Sequence, residues 1–88
     1  MRDENVIILD VRTIEEFESG HIEGAINIPN ETITKDAENV LKDKNATILV
    51  YCRSGNRSKQ ASKKLARLGY TNIMEFGGIN TWRYKIVK

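Results

Sequence analysis

Apolar residues fall in short runs separated by polar, glycine-punctuated stretches, and their spacing alternates between the strand and helix periods. Val6-Ile7-Ile8-Leu9 is a continuous β-branched and leucine run, which predicts a strand buried on both faces and puts Asp10 at its carboxyl end. Thr13-Ile14-Glu15-Glu16 has capping-box spacing, so a short helix should run to about Ser19 and stop at Gly20. Residues 24–29 predict a second short strand, ended by the only proline. Within 31–44, Ile33, Ala37, Val40 and Leu41 recur at i, i+4, i+7, i+8, the stripe of an amphipathic helix. Residues 46–51 are a third strand. Residues 58–68 predict the best helix of the chain, with Ala61, Leu65 and Leu68 on one face and Gly69 as its C′ residue. Residues 72–76 read as a fourth strand, Gly77-Gly78 as a turn, and 79 to about 85 as a last short helix carrying Trp82.

Strands alternating with helices imply an α/β fold, a mainly parallel sheet of about four strands with helices on both faces and right-handed crossovers. In such sheets ligands bind outside the carboxyl ends of the strands, where both Asp10 and Cys52 fall. Eighty-eight residues make one domain, with a modest core that needs no staples. Hydrophobic content of 40% and charged content of 30% are those of an ordinary globular protein. No apolar run approaches the roughly 20 residues that span a bilayer, and nothing resembles a signal peptide. The expected chain is therefore soluble and cytoplasmic, with no membrane partner, although a targeting segment ahead of residue 1 would change the compartment. One cysteine forms no internal disulfide, and one cysteine with one histidine makes no metal site. No cofactor is expected.

Cys52-Arg53-Ser54-Gly55-Asn56-Arg57-Ser58 lies between the third strand and the best helix and holds the only cysteine. A strand that empties into such a loop leaves the amides of the first helical turn without internal partners, so they cradle an anion or stabilise a thiolate. A cysteine at a helix N-terminus beside Arg53 and Arg57 belongs to the class whose pKa falls from about 8.5 to roughly 3.5–7.5. Cys52 is thus a candidate nucleophile, and on these residues alone the cradle would serve phosphate, arsenate or sulfur. Charge is unevenly spread: residues 1–45 hold 5 Lys/Arg against 11 Asp/Glu, residues 46–88 hold 9 against 1. The basic half contains Cys52 and would concentrate a small anion there. A solvated helix face explains Lys59, Lys63, Lys64 and Arg67 equally well. Nucleic acid is disfavoured, because no aromatic residues interleave with the cations as stacking platforms.

Three separated segments resemble the rhodanese family of sulfurtransferases over nearly the whole chain. They are residues 10–29, beginning Asp10-Val11-Arg12; the loop Tyr51-Cys52-Arg53-Ser54-Gly55-Asn56-Arg57-Ser58; and Phe76-Gly77-Gly78-Ile79-Asn80-Thr81-Trp82. The resemblance implies that Cys52 takes a sulfane sulfur from a donor such as thiosulfate, becomes a persulfide, and passes the sulfur to cyanide or a thiol. Arg53, Ser54, Gly55, Asn56, Arg57 and Ser58 would bind the donor, and Asp10 and Arg12 would support the pocket, acting either on its electrostatics or, the favoured reading, as an ion pair fixing the helix entry. Ser54 and Asn56 either touch substrate or brace the loop. Glu16 reads as a cap, His21 as a turn histidine bonded to backbone, and Trp82 as a buried anchor. By the same resemblance Cys-x4-Arg suits sulfur transfer, whereas cysteine phosphatases and arsenate reductases carry Cys-x5-Arg. A persulfide carrier serving partner proteins in a sulfur relay is the alternative reading, and the intact Cys52 loop argues against a catalytically dead regulatory domain. Family members of this size commonly carry a further helix and strand ahead of the Asp10 strand. Only residues 1–5 precede it here, so the single domain, 1–88, is expected to lack them.

Overall fold

The computed structural model describes residues 6–53, 55–79 and 86–87. Its centre is a four-stranded, wholly parallel sheet in the order β3-β1-β4-β5, formed by β1 (Val6–Asp10), β3 (Ile26–Asn27), β4 (Thr47–Cys52) and β5 (Asn72–Gly78). Parallel neighbours require crossovers, and α2 (Asn56–Arg67) supplies the one between β4 and β5. The period of two along β4 then sorts its side chains. Ile48, Val50 and Cys52 join Ala61 and Leu65 of α2 in the main core, with Leu9, Val11, Ile33, Ala37, Leu41 and Tyr70. Each fully buried leucine or isoleucine there contributes roughly 1.5–3 kcal/mol.

Tyr51, of opposite parity, is also fully buried, and its hydroxyl donates to Asp10 Oδ2 at 2.7 Å and accepts from Ile22 N at 3.1 Å. The carboxyl end of the second sheet face is therefore closed by the segment holding α1 (Ile14–Ser19) and β2 (His21–Ile22).

The helix ends follow their sequence signals. Thr13 and Glu16 form a reciprocal capping box on α1, and Gly20 ends it. Past α2, Gly69 adopts φ +102°, and the amides of Gly69 and Tyr70 bond back to Ala66 and Leu65, a Schellman arrangement that a Cβ would strain.

Two expectations need correction, and one pairing was not foreseen. Residues 31–44 are not one amphipathic helix but two 3₁₀ turns, Asn30–Thr32 and Lys35–Asn39. Thr34 between them is extended and its hydroxyl accepts from Asp36 N, a local bond that competes with helix propagation. Ile33, Ala37 and Leu41 still reach the core, whereas Val40 is 60% exposed. Gly77-Gly78 is not a turn: it ends β5, where the pairing slips so that Val50 faces Glu75 but Cys52 faces Gly78. That bulge inserts one extra residue in β5, and Gly77 takes φ +99° within it. Finally, β2 pairs antiparallel with β6 (Ile86–Val87) in a two-stranded sheet that no sequence period announced. The helix expected over 79–85, with Trp82, falls almost wholly outside the described residues, as does Ser54.

Candidate active site

Cys52 is the last residue of β4 and is 1% exposed, with its Sγ in the mouth of the following loop. Gly55 N–H donates to that sulfur at 2.9 Å. The contact depends on Gly55 at φ +110°, a left-handed conformation that glycine adopts without strain. Gly55 is also the N-cap of α2 and has no side chain to cap it, so the first-turn amides keep their donor capacity. A 12-residue helix adds its positive end to the same place.

The loop's side chains divide sharply. Arg53 and Asn56 are exposed. Arg57 turns away to α1, where Nη1 and Nη2 hold Glu16 Oε1 and Oε2 at 2.8 and 3.1 Å in a fork. Ser58 is fully buried, with its hydroxyl 2.6 Å from Glu75 Oε2, 2.9 Å from Gly55 O and 3.4 Å from Gly77 O. It braces the loop from beneath. Of the sequence-predicted site residues, Cys52, Gly55 and Ser58 are joined by hydrogen bonds through Gly55; Arg53 and Asn56 are exposed, and Arg57, although paired with Glu16, still feels the charge of Cys52.

Asp10 and Arg12 form a separate buried frame. Asp10, with no exposed surface, accepts from Arg12 N at 2.9 Å, from Nε at 3.0 and 3.1 Å, from Nη2 at 2.7 Å and from the Tyr51 hydroxyl at 2.7 Å. Arg12 Nη2 reaches on to Gly20 O at 2.6 Å, and Asn27 Nδ2 donates to the carbonyls of residues 10 and 12. Burial opposes the Arg12 charge, but its hydrogen bond and attraction to Asp10 raise its pKa above the usual arginine value. Burial likewise drives the Tyr51 phenol far above its ordinary range, so it stays a donor to Asp10. The pair ties the end of β1 to the segment around α1 through the bond to Gly20 O. His21 Nδ1 meets Phe17 O at 2.8 Å and its ring stacks on Phe17, the backbone-bonded turn histidine.

Two residues of consequence escaped the sequence reading. Tyr51 stood at the end of a strand and the head of the loop segment, with no role of its own. Glu75 is the one acid among residues 46–88, a signal present but unused.

The hydrogen bond from Arg57 pulls the Glu16 carboxyl down to about 2. A carboxyl depressed in the fold contributes stability above its unfolded value of roughly 4.3, and that contribution disappears as pH falls toward 2. Because both side chains are partly solvated, about 1 kcal/mol is at stake. Thermal unfolding from pH 5 to 2 should show the parent losing more stability than Glu16→Gln; parallel losses would contradict the linkage.

The rhodanese-like domain family matches residues 1–85. The chain belongs to that family. Among rhodanese relatives, it is 39% identical over 71 residues to the thiosulfate sulfurtransferase PspE of Escherichia coli, covering 81% of this chain and 68% of that one. Thiosulfate sulfurtransferase GlpE of Pseudomonas entomophila is 32% identical, with coverages of 94% and 75%. The putative sulfur carrier protein YrkF of Bacillus subtilis is 36% identical, but this chain spans only 44% of its length. In three dimensions, a solved rhodanese with anions from Escherichia coli superposes with a TM-score of 0.87 at 36% identity, covering 94% of this chain and 98% of that one. The parallel α/β sheet expected from sequence is thus the rhodanese fold.

Proposed function

We propose that this protein is a sulfurtransferase whose nucleophile is Cys52. The observation that carries the reading is the buried Cys52 sulfur at the carboxyl end of β4, bonded by Gly55 N–H at the uncapped start of α2. The Cys52 thiolate attacks the outer sulfur of thiosulfate; the new S–S bond forms as the old one breaks, and sulfite leaves with that bond's electron pair. Cys52 is left as a persulfide anion held by the same backbone donors. Cyanide or a thiolate then attacks the terminal sulfur and regenerates the Cys52 thiolate. A thiol that cycles through a persulfide suits a reducing compartment, the cytoplasm. Arg53, exposed beside Cys52, would meet the anion as it approaches, and Ser58 holds the loop.

Intact mass tests this directly. Thiosulfate should add one sulfur atom to the protein, removable by cyanide or a dithiol; no adduct with any sulfane donor would reject the reading. A second reading has its own support. Arg57 is engaged by Glu16, which weakens the pull of the cradle on a free dianion, and one relative is named a putative sulfur carrier. A carrier that loads from a persulfidated protein would do so much faster than from thiosulfate, and stopped-flow loading from both donors separates the two.

A further inference from the structure

The basic half of the chain puts its single acid, Glu75, under the Cys52 loop. Its Oε2 lies 2.6 Å from the Ser58 hydroxyl and 3.8 Å from where a Cβ on Gly55 would stand. Gly55 N is in turn 2.9 Å from Cys52 Sγ, so the same glycine neighbours both the carboxylate and the sulfur. No ion pair among the described residues involves Glu75. Arg57, in the first turn of α2, is paired with Glu16. Among the described residues, then, no cation stands within ion-pair distance of this carboxylate, which lies beside the N-terminal end of α2, where the helix dipole and open amides would also draw an anionic ligand.

We infer that Glu75 sets the charge selectivity of the Cys52 loop, holding down reaction with dianions relative to monoanionic or neutral reagents. The inference rests on the proposed sulfur transfer only for what the selectivity is used for: it turns the site toward donors of low charge, such as thiosulfonates or persulfides. Its physical basis is repulsion that doubles from a monoanion to a dianion and is screened by salt. Ser58 is the lever that holds the carboxylate in place, since its proton has Glu75 as the nearest acceptor.

Two measurements test this on the full chain. The first compares alkylation of Cys52 by iodoacetate, an anion, with alkylation by neutral iodoacetamide. Glu75→Gln, which keeps an oxygen facing Ser58, should raise the iodoacetate-to-iodoacetamide rate ratio about 3- to 10-fold at low ionic strength, with the gain shrinking in concentrated salt. Glu75→Asp keeps the charge and should keep the parent ratio. The second compares kcat/KM for thiosulfate with that for a monoanionic thiosulfonate, a ratio that should rise similarly in Glu75→Gln. An unchanged alkylation ratio in Glu75→Gln, or an equal change in Glu75→Asp, would overturn the inference. A shifted alkylation ratio with no sulfur uptake from either donor would uphold it and reject the sulfurtransferase reading instead.

Discussion

Replacing Cys52 by serine is expected to abolish sulfur uptake from thiosulfate, lowering the loading rate by roughly 10⁴-fold or more. The size follows from chemistry rather than structure loss. A hydroxyl in the same place is essentially never ionised near neutral pH, and it cannot form the S–S bond that stores the sulfur. Serine is smaller than cysteine and can accept the Gly55 N–H, so the loop and the core around position 52 should survive. No other thiol exists in the chain to substitute for it. Intact mass after thiosulfate treatment, with circular dichroism to verify the fold, gives the answer. Sulfur found on the folded serine variant would move the nucleophile elsewhere and remove the basis of the mechanism.

The loop's place in the fold was legible because it is local. An apolar strand, a glycine and a helical stripe are contiguous in sequence, and together they determine where Cys52 emerges. The charge inside the site was not. Arg57 looked available because its partner Glu16 is 41 residues away, and Glu16 looked like a cap because its local partner Thr13 satisfies that role as well. Glu16 fills both roles at once. Glu75 was hidden by pairing: it stands in register beside Val50, which packs with Ala61 and Leu65 of α2, and nothing local to residues 72–76 says which strand they pair with or where Ser58 will lie. The 31–44 stripe misled for the converse reason. Buried positions Ile33, Ala37 and Leu41 repeat every four residues, which two 3₁₀ turns joined by an extended Thr34 satisfy as readily as one helix. The β2–β6 pair is two residues long on each side, too short for any period to register.

Asp10→Asn should be the most destabilising single change outside the core. Asparagine matches aspartate in shape, so little packing is lost, but it leaves the Arg12 guanidinium charged and buried beside a neutral amide. Its NH₂ group would also face donors from Arg12 or Tyr51, where the carboxylate now accepts four hydrogen-bonding groups. Breaking a buried pair in this way costs roughly 3–5 kcal/mol, a large share of the 5–15 kcal/mol typical of a domain. For a chain of this size that lowers Tm by about 12 °C or more. Removing both charges is a different matter, because an apolar pair avoids the desolvation of two ions. Asp10→Asn with Arg12→Met should therefore recover most of the loss, which thermal melts followed by circular dichroism would register. A double variant as unstable as the single one would mean that the hydrogen bonds from Arg12 to Gly20 O, and not the charge balance, hold this corner together. The double variant also bears on the site. If it regains stability but loads sulfur slowly, the Asp10–Arg12–Tyr51 frame contributes to catalysis by fixing the end of β4, from which Cys52 projects, and not merely by keeping the chain folded.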